Sequence, residues 1–82
     1  MKITVEVTGW LKKFTKGIPN VEIEVEQGSK ASDVFKVLGI PETEIGFISV
    51  ENENNDGNRL VDKDFVIGEG DVLRLYSHIV GG

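Results

Sequence analysis

The hydrophobic period changes twice along this chain, and that change limits the fold more than any other feature. Ile3, Val5 and Val7 alternate with Lys2, Thr4, Glu6 and Thr8. Val21, Ile23 and Val25 alternate with Glu22, Glu24 and Glu26. A period of two turns successive side chains to opposite faces, so both segments read as half-buried strands. Ala31, Val34, Phe35 and Leu38 then fall at i, i+3, i+4 and i+7, one face of a short helix. Ser29 or Lys30 is the N-cap, with Ser29 offering the better side chain, and Asp33 suits the positive end of the helix dipole. Gly39 stands where a left-handed C-cap needs glycine, and Pro41 blocks continuation. Strand patterning returns at Phe47-Ile48-Ser49-Val50, at the short Leu60-Val61 and at Val72-Leu73-Arg74-Leu75-Tyr76. The helix is too short to stand alone in water, so its apolar face must cover the sheet. The order β-β-α-β-β-β predicts an α+β fold, a mixed sheet of four or five strands with one helix packed across one face.

The connections carry their own signals. Gly9-Trp10-Leu11-Lys12-Lys13-Phe14-Thr15-Lys16-Gly17 is a basic loop with apolar residues. It joins the first two strands as a long hairpin connection, with Trp10, Leu11 and Phe14 packing beneath it. Glu51 to Asn58 is a polar turn region. Asp62 to Ile67 reads as a helical turn or coil that tucks Phe65 or Ile67 inward. Gly68-Glu69-Gly70-Asp71 is a tight turn. The 82 residues predict a single domain, 1–82, with 79–82 as a flexible C-terminal tail.

Charge and composition exclude several classes of function. Residues 1–41 hold six basic and five acidic groups, and residues 42–82 hold three and nine, which together give the net charge of −5. An acidic chain with a more acidic second half is poorly suited to a phosphate backbone, so no nucleic-acid partner is expected. Three lysines beside Trp10 and Phe14 do not reverse that balance. No apolar run approaches the roughly 20 residues of a membrane span. There is no cysteine, which removes disulfides, thiol catalysis and thiolate metal sites. A cytoplasmic address follows as the expectation.

Chemistry-bearing constellations are few. His78 is the single histidine and has no base–nucleophile pattern around it. Asn52 to Asp56 looks like the start of a calcium loop, but the pattern wants Asp first and Glu at its twelfth position, where Asn52 and Lys63 stand. No metal is expected. The last four residues, Ile79-Val80-Gly81-Gly82, are more informative. Glycine without Cβ lets backbone enter a channel too narrow for other residues. A glycine carboxylate delivered that way can attack the α-phosphate of ATP, giving an acyl adenylate that a sulfur or amine nucleophile opens. On the last strand Leu73 and Leu75 face the core, so Tyr76 faces outward, where a ring with a polar tip suits an interface.

These residues resemble a known family. The opening Met1-Lys2-Ile3-Thr4-Val5, Gly28-Ser29 before Asp33-Val34-Phe35-Lys36-Val37-Leu38-Gly39, Leu60-Val61-Asp62, Gly70-Asp71-Val72-Leu73-Arg74-Leu75 and Gly81-Gly82 are similar to the MoaD/ThiS family of ubiquitin-like β-grasp sulfur carriers. The resemblance implies a ubiquitin-like β-grasp fold and a carrier that is not itself an enzyme. Gly82 would be adenylated and converted to a thiocarboxylate, with Gly81 threading beside it. Tyr76, His78, Ile79 and Val80 would contact partners. No cofactor would be bound, because ATP and the sulfur donor are used by the partner enzyme. The partners implied are a ubiquitin-activating-like adenylyltransferase and a molybdopterin-synthase catalytic subunit or another sulfur acceptor, with a monomer when free. The chain's size favours the molybdopterin pathway over the shorter thiazole (thiamine) carriers. Two other classes stay open: a ubiquitin-like modifier forming isopeptide bonds through Gly82, and a non-catalytic β-grasp binding module.

Overall fold

The computed structural model describes residues 1–52 and 57–78. Its strands are β1 (Lys2–Val7), β2 (Asn20–Glu24), β3 (Ile45–Glu51), β4 (Arg59–Val61) and β5 (Val72–Ser77), with one helix, α1 (Ala31–Leu38). Two 3₁₀ helices, Gly9–Thr15 and Glu42–Glu44, complete the secondary structure of the described residues. The strands form one mixed sheet in the order β2-β1-β5-β3-β4. β1 pairs antiparallel with β2 and parallel with β5, and β3 pairs antiparallel with both β5 and β4. The last strand in sequence is therefore the central strand in space. The α+β expectation holds, with five strands.

The register explains the alternation. Val5 sits beside Leu73 and Val7 beside Leu75, while Ile48 and Val50 face Leu75 and Leu73 from the other side. These six side chains are buried on one face of the sheet, and α1 covers them with Ala31, Val34 and Phe35. Ile40, Ile45 and Ile67 close the margins of this core. Gly39 caps α1 in the left-handed conformation, at φ 72°. The opposite face of the sheet carries the polar halves of β1 and β2, as the sequence pattern requires.

At the start of α1, Lys30 is the N-cap, the second of the two expected positions rather than Ser29 with its better side chain, and its ammonium cannot accept a hydrogen bond. The Asp33 carboxylate accepts from the Lys30 N–H at 2.8 Å instead. The free N–H groups of Ala31 and Ser32 donate to the carbonyls of Phe65 and Lys63, both at 3.0 Å. A segment far along the chain thus satisfies the helix terminus that no local side chain serves. This is the role of residues 62–67: Ile67 is buried, Phe65 is partly buried, and Val66 forms a bridge with Lys30.

The first connection is also not a plain loop. Gly9–Thr15 is helical with a period of about three residues, so Leu11 and Phe14 share one face while Trp10 and Lys13 share another. Leu11 is fully buried and Phe14 partly so, but Trp10 is 66% exposed. The expectation that all three aromatic and aliphatic residues pack beneath the connection is corrected for Trp10. The turn Gly68–Asp71 is locked by its aspartate, which is buried. Asp71 accepts from the Gly68 N–H at 2.7 Å and from the Asn52 side-chain amide at 2.6 Å.

Candidate functional site: the open sheet face and the end of β5

Three strands of the open face are joined by Arg74. Its Nε donates to Glu6 on β1 at 2.8 Å, and its second nitrogen lies 2.8 Å from Glu51 on β3. It also hydrogen-bonds Asn58. The bonds to Glu6 and then Glu51 raise the guanidinium above its ordinary pKa. Arg74 therefore ties β1, β5 and β3 together from the solvent side, as α1 does from the core side.

Next along β5, Tyr76 lies opposite Phe47 of β3. Their rings are stacked, with centroids 4.5 Å apart and planes inclined by 21°. Tyr76 is partly buried by this contact, whereas Phe47 remains 44% exposed. Leu60 of β4 is exposed, and it lies opposite Ser49, the neighbour of Arg74. The open face thus combines polar rows at the β2 side, including Glu22 and Glu24, with apolar groups toward β3 and β4. Sequence reasoning singled out Tyr76 and missed Phe47 and Leu60. The signal was present, since Phe47 is out of phase with the core residues Ile48 and Val50, and only Ile45, across the register shift at Gly46, breaks the alternation.

Beyond Leu75, β5 outruns the β1 pairing, which ends at Val7. Ser77 still pairs with Ile45 of β3, and Thr8 continues the contact on the β1 side through its N–H and hydroxyl, each 3.1 Å from the Leu75 carbonyl oxygen. His78 follows and is exposed. Ser77 and His78 line a cavity of about 320 Å³ with Trp10, Lys13 and Glu44. Lys13 and Glu44 face each other across it at 3.6 Å. The structure therefore brings Tyr76 and His78 to one end of the sheet. Ile79, Val80, Gly81 and Gly82 lie outside the described residues. Among the described residues no cluster of His, Asp or Glu is arranged to hold a metal ion, and no helix is long and apolar enough to cross a membrane.

Solved structures share this architecture. The putative molybdopterin converting factor subunit 1 from Pyrococcus furiosus superposes with a TM-score of 0.71 at 20% identity, over 96% of this chain and 99% of that one. SAMP1 from Haloferax volcanii gives 0.69 at 16% identity, over the whole of both chains. A chain of the complex of subunits 1 and 2 of molybdopterin-converting factor from Helicobacter pylori gives 0.57 at 21% identity, again over the whole of both. No family model and no curated protein sequence matches the chain. The five-stranded sheet, its central last strand and the helix across one face are thus those of the ubiquitin-like β-grasp fold, shared with subunit 1 of molybdopterin converting factor and with SAMP1.

Proposed function

We propose that the chain is a cytoplasmic sulfur carrier of the MoaD/ThiS kind, a protein co-substrate rather than a catalyst, and that it serves molybdopterin (molybdenum or tungsten cofactor) synthesis. The reading is supported by one combination: a β-grasp domain whose central strand leads, within five residues, to Gly81-Gly82. The Gly82 carboxylate oxygen would attack the α-phosphorus of ATP, releasing pyrophosphate and leaving an acyl adenylate. Hydrosulfide from the sulfur donor would then displace AMP at the carbonyl carbon and lose its proton, leaving a thiocarboxylate. Both steps use reagents held by an adenylyltransferase partner. The domain supplies recognition, and its glycines supply a backbone thin enough to enter that partner's site.

The open face is the proposed docking surface, centred on Phe47, Tyr76 and Leu60. An exposed ring stacked on a second ring is rigid, so little side-chain freedom is lost on binding. Arg74 and its carboxylates would form part of the polar rim. His78, Ile79 and Val80 would line the approach to the partner's channel. The Helicobacter pylori molybdopterin-converting-factor neighbour is a complex of two subunits, which supports a synthase subunit as a second partner.

Incubation of the full chain with an ATP-dependent activating enzyme of this class and a sulfur donor tests the reading. Intact-mass spectrometry should show a gain of about 16 Da, sulfur in place of oxygen, that is lost on deleting Gly82. No adenylate and no thiocarboxylate would sink it. A conjugate stable on reducing gels would instead support the modifier role.

A further inference from the structure

Two glycines flank the point where the chain leaves the sheet. Gly46 lies in the β3 bulge on one side of β5, and Gly9 opens the 3₁₀ helix on the other. A methyl group on Gly46 would sit 2.9 Å from the Ser77 carbonyl oxygen and 3.1 Å from both the N and Cα of His78. All three are backbone atoms, which cannot rotate away as a side chain can. A methyl group on Gly9 would sit 2.6 Å from the Ser77 Oγ and 3.7 Å from its Cβ. Ordinary contacts between carbon and other heavy atoms begin well beyond 3 Å. The exit of β5 is therefore a slot whose Gly46 wall meets backbone and whose Gly9 wall meets the Ser77 side chain.

The surrounding contacts hold the slot in place. Gly9 follows directly on Thr8, which is bonded to Leu75 through its N–H and its hydroxyl. Gly46 lies between Ile45, buried in the core, and Phe47, stacked on Tyr76. Neither wall can retreat without disturbing a packed neighbour. A chain passing between them has its direction set at Ser77 and His78.

We propose that Gly46, with Gly9 opposite, is a positioning residue that aims the chain beyond His78 into a partner's active site. The inference rests on the carrier reading for its functional consequence, but its geometry stands apart from that reading. From His78 to Gly82 the chain reaches at most about 13–14 Å when extended. In a channel that holds it extended, a turn of about 10° at His78 would move the Gly82 carboxylate by about 2 Å. Misplacements of this order reduce rates by about ten- to a hundredfold when the reacting atoms must meet in line.

The test compares four variants of the chain. Gly46→Ala should change the residual dipolar couplings of the Ser77 and His78 amides while leaving those of Ile3, Val5 and Leu73 as in the wild type. Gly28→Ala is strained at φ +88° but meets open space, so it should lower the melting temperature without moving Ser77. In adenylation assays Gly46→Ala should lower kcat at least about tenfold with KM within about twofold, with the Phe47 and Tyr76 couplings reporting that the docking face keeps its place. Gly9→Ala should do the same, and adding Ser77→Ala should restore kcat by removing the Oγ it strikes. A merely structural role for Gly9 predicts no such rescue, since alanine at the Gly9 φ of +56° stays strained whatever stands at Ser77. Unchanged couplings in Gly46→Ala overturn the proposal. So do altered couplings with unchanged kcat, and so does a Gly9→Ala defect that Ser77→Ala fails to rescue. Failure of every activating enzyme to charge the wild-type chain would refute the carrier reading, and the couplings would then decide the slot alone. If Gly46→Ala does not fold, the Gly9 and Ser77 pair carries the decision.

Discussion

Truncating Tyr76 separates the stability of the open face from its use in docking. The Tyr76 side chain is mostly but not fully buried, and truncating it re-exposes on the order of 80–100 Å² of apolar area. At ~25 cal/mol/Å² this amounts to about 2–2.5 kcal/mol, reduced to ~1.5–2 when the unfolded chain's own compactness is allowed for. The stack on Phe47, with centroids at 4.5 Å, contributes about 1 kcal/mol more. Tyr76→Ala should therefore destabilise the domain by ~2.5–3 kcal/mol, a fall of roughly 10–20 °C in melting temperature for a chain of this size. A surface tyrosine standing alone would have cost almost nothing. Chemical denaturation of wild type, Tyr76→Ala, Phe47→Ala and the double variant gives the coupling, expected near 1 kcal/mol. Binding to the activating enzyme, measured where each variant is still folded, should weaken about thirtyfold, equivalent to ~2 kcal/mol. A coupling below about 0.3 kcal/mol would refute the stacking argument. Wild-type affinity in a folded Tyr76→Ala would place the docking surface elsewhere.

Two further outcomes follow from the packing. Leu11→Ala should cost about 2–5 kcal/mol by denaturant titration, because Leu11 is fully buried beneath the first 3₁₀ helix; a cost below 1 kcal/mol would show that this helix is not part of the core. Asp71→Ala should cost about 2 kcal/mol or more, since it leaves the Gly68 N–H and the Asn52 amide without their carboxylate, and hydrogen exchange at Gly68 should accelerate in parallel.

Much of this protein was legible before its structure. The switch from period two to period 3.6 and back placed β1, β2, α1 and β5 because local periodicity reflects which face each element buries. The Gly39 cap and the Pro41 stop were equally local. The inward Leu73 and Leu75 and the outward Tyr76 followed from strand geometry alone. Gly81-Gly82, the pair on which the carrier proposal turns, is a fact of sequence and lies outside the described residues.

Other features depended on contacts between distant segments. Nothing local reveals that β5 lies at the centre of the sheet, because strand order is decided by which edges pair, and β1 meets β5 across most of the chain's length. The N-terminus of α1 looked like a task for Ser29, yet the carbonyls of Lys63 and Phe65 perform it. A backbone acceptor supplied by tertiary packing leaves no side-chain signature in the sequence. Trp10 and Leu11 are both apolar and adjacent, and only the three-residue period of a 3₁₀ helix sends one to solvent and the other to the core. Gly9 and Gly46 are separated by a helix and a strand in sequence, and each alone is an ordinary glycine. Their meaning arises where the fold brings both to Ser77, because a side chain on Gly46 meets the Ser77 and His78 backbone and one on Gly9 meets the Ser77 hydroxyl, some thirty to seventy residues away in sequence.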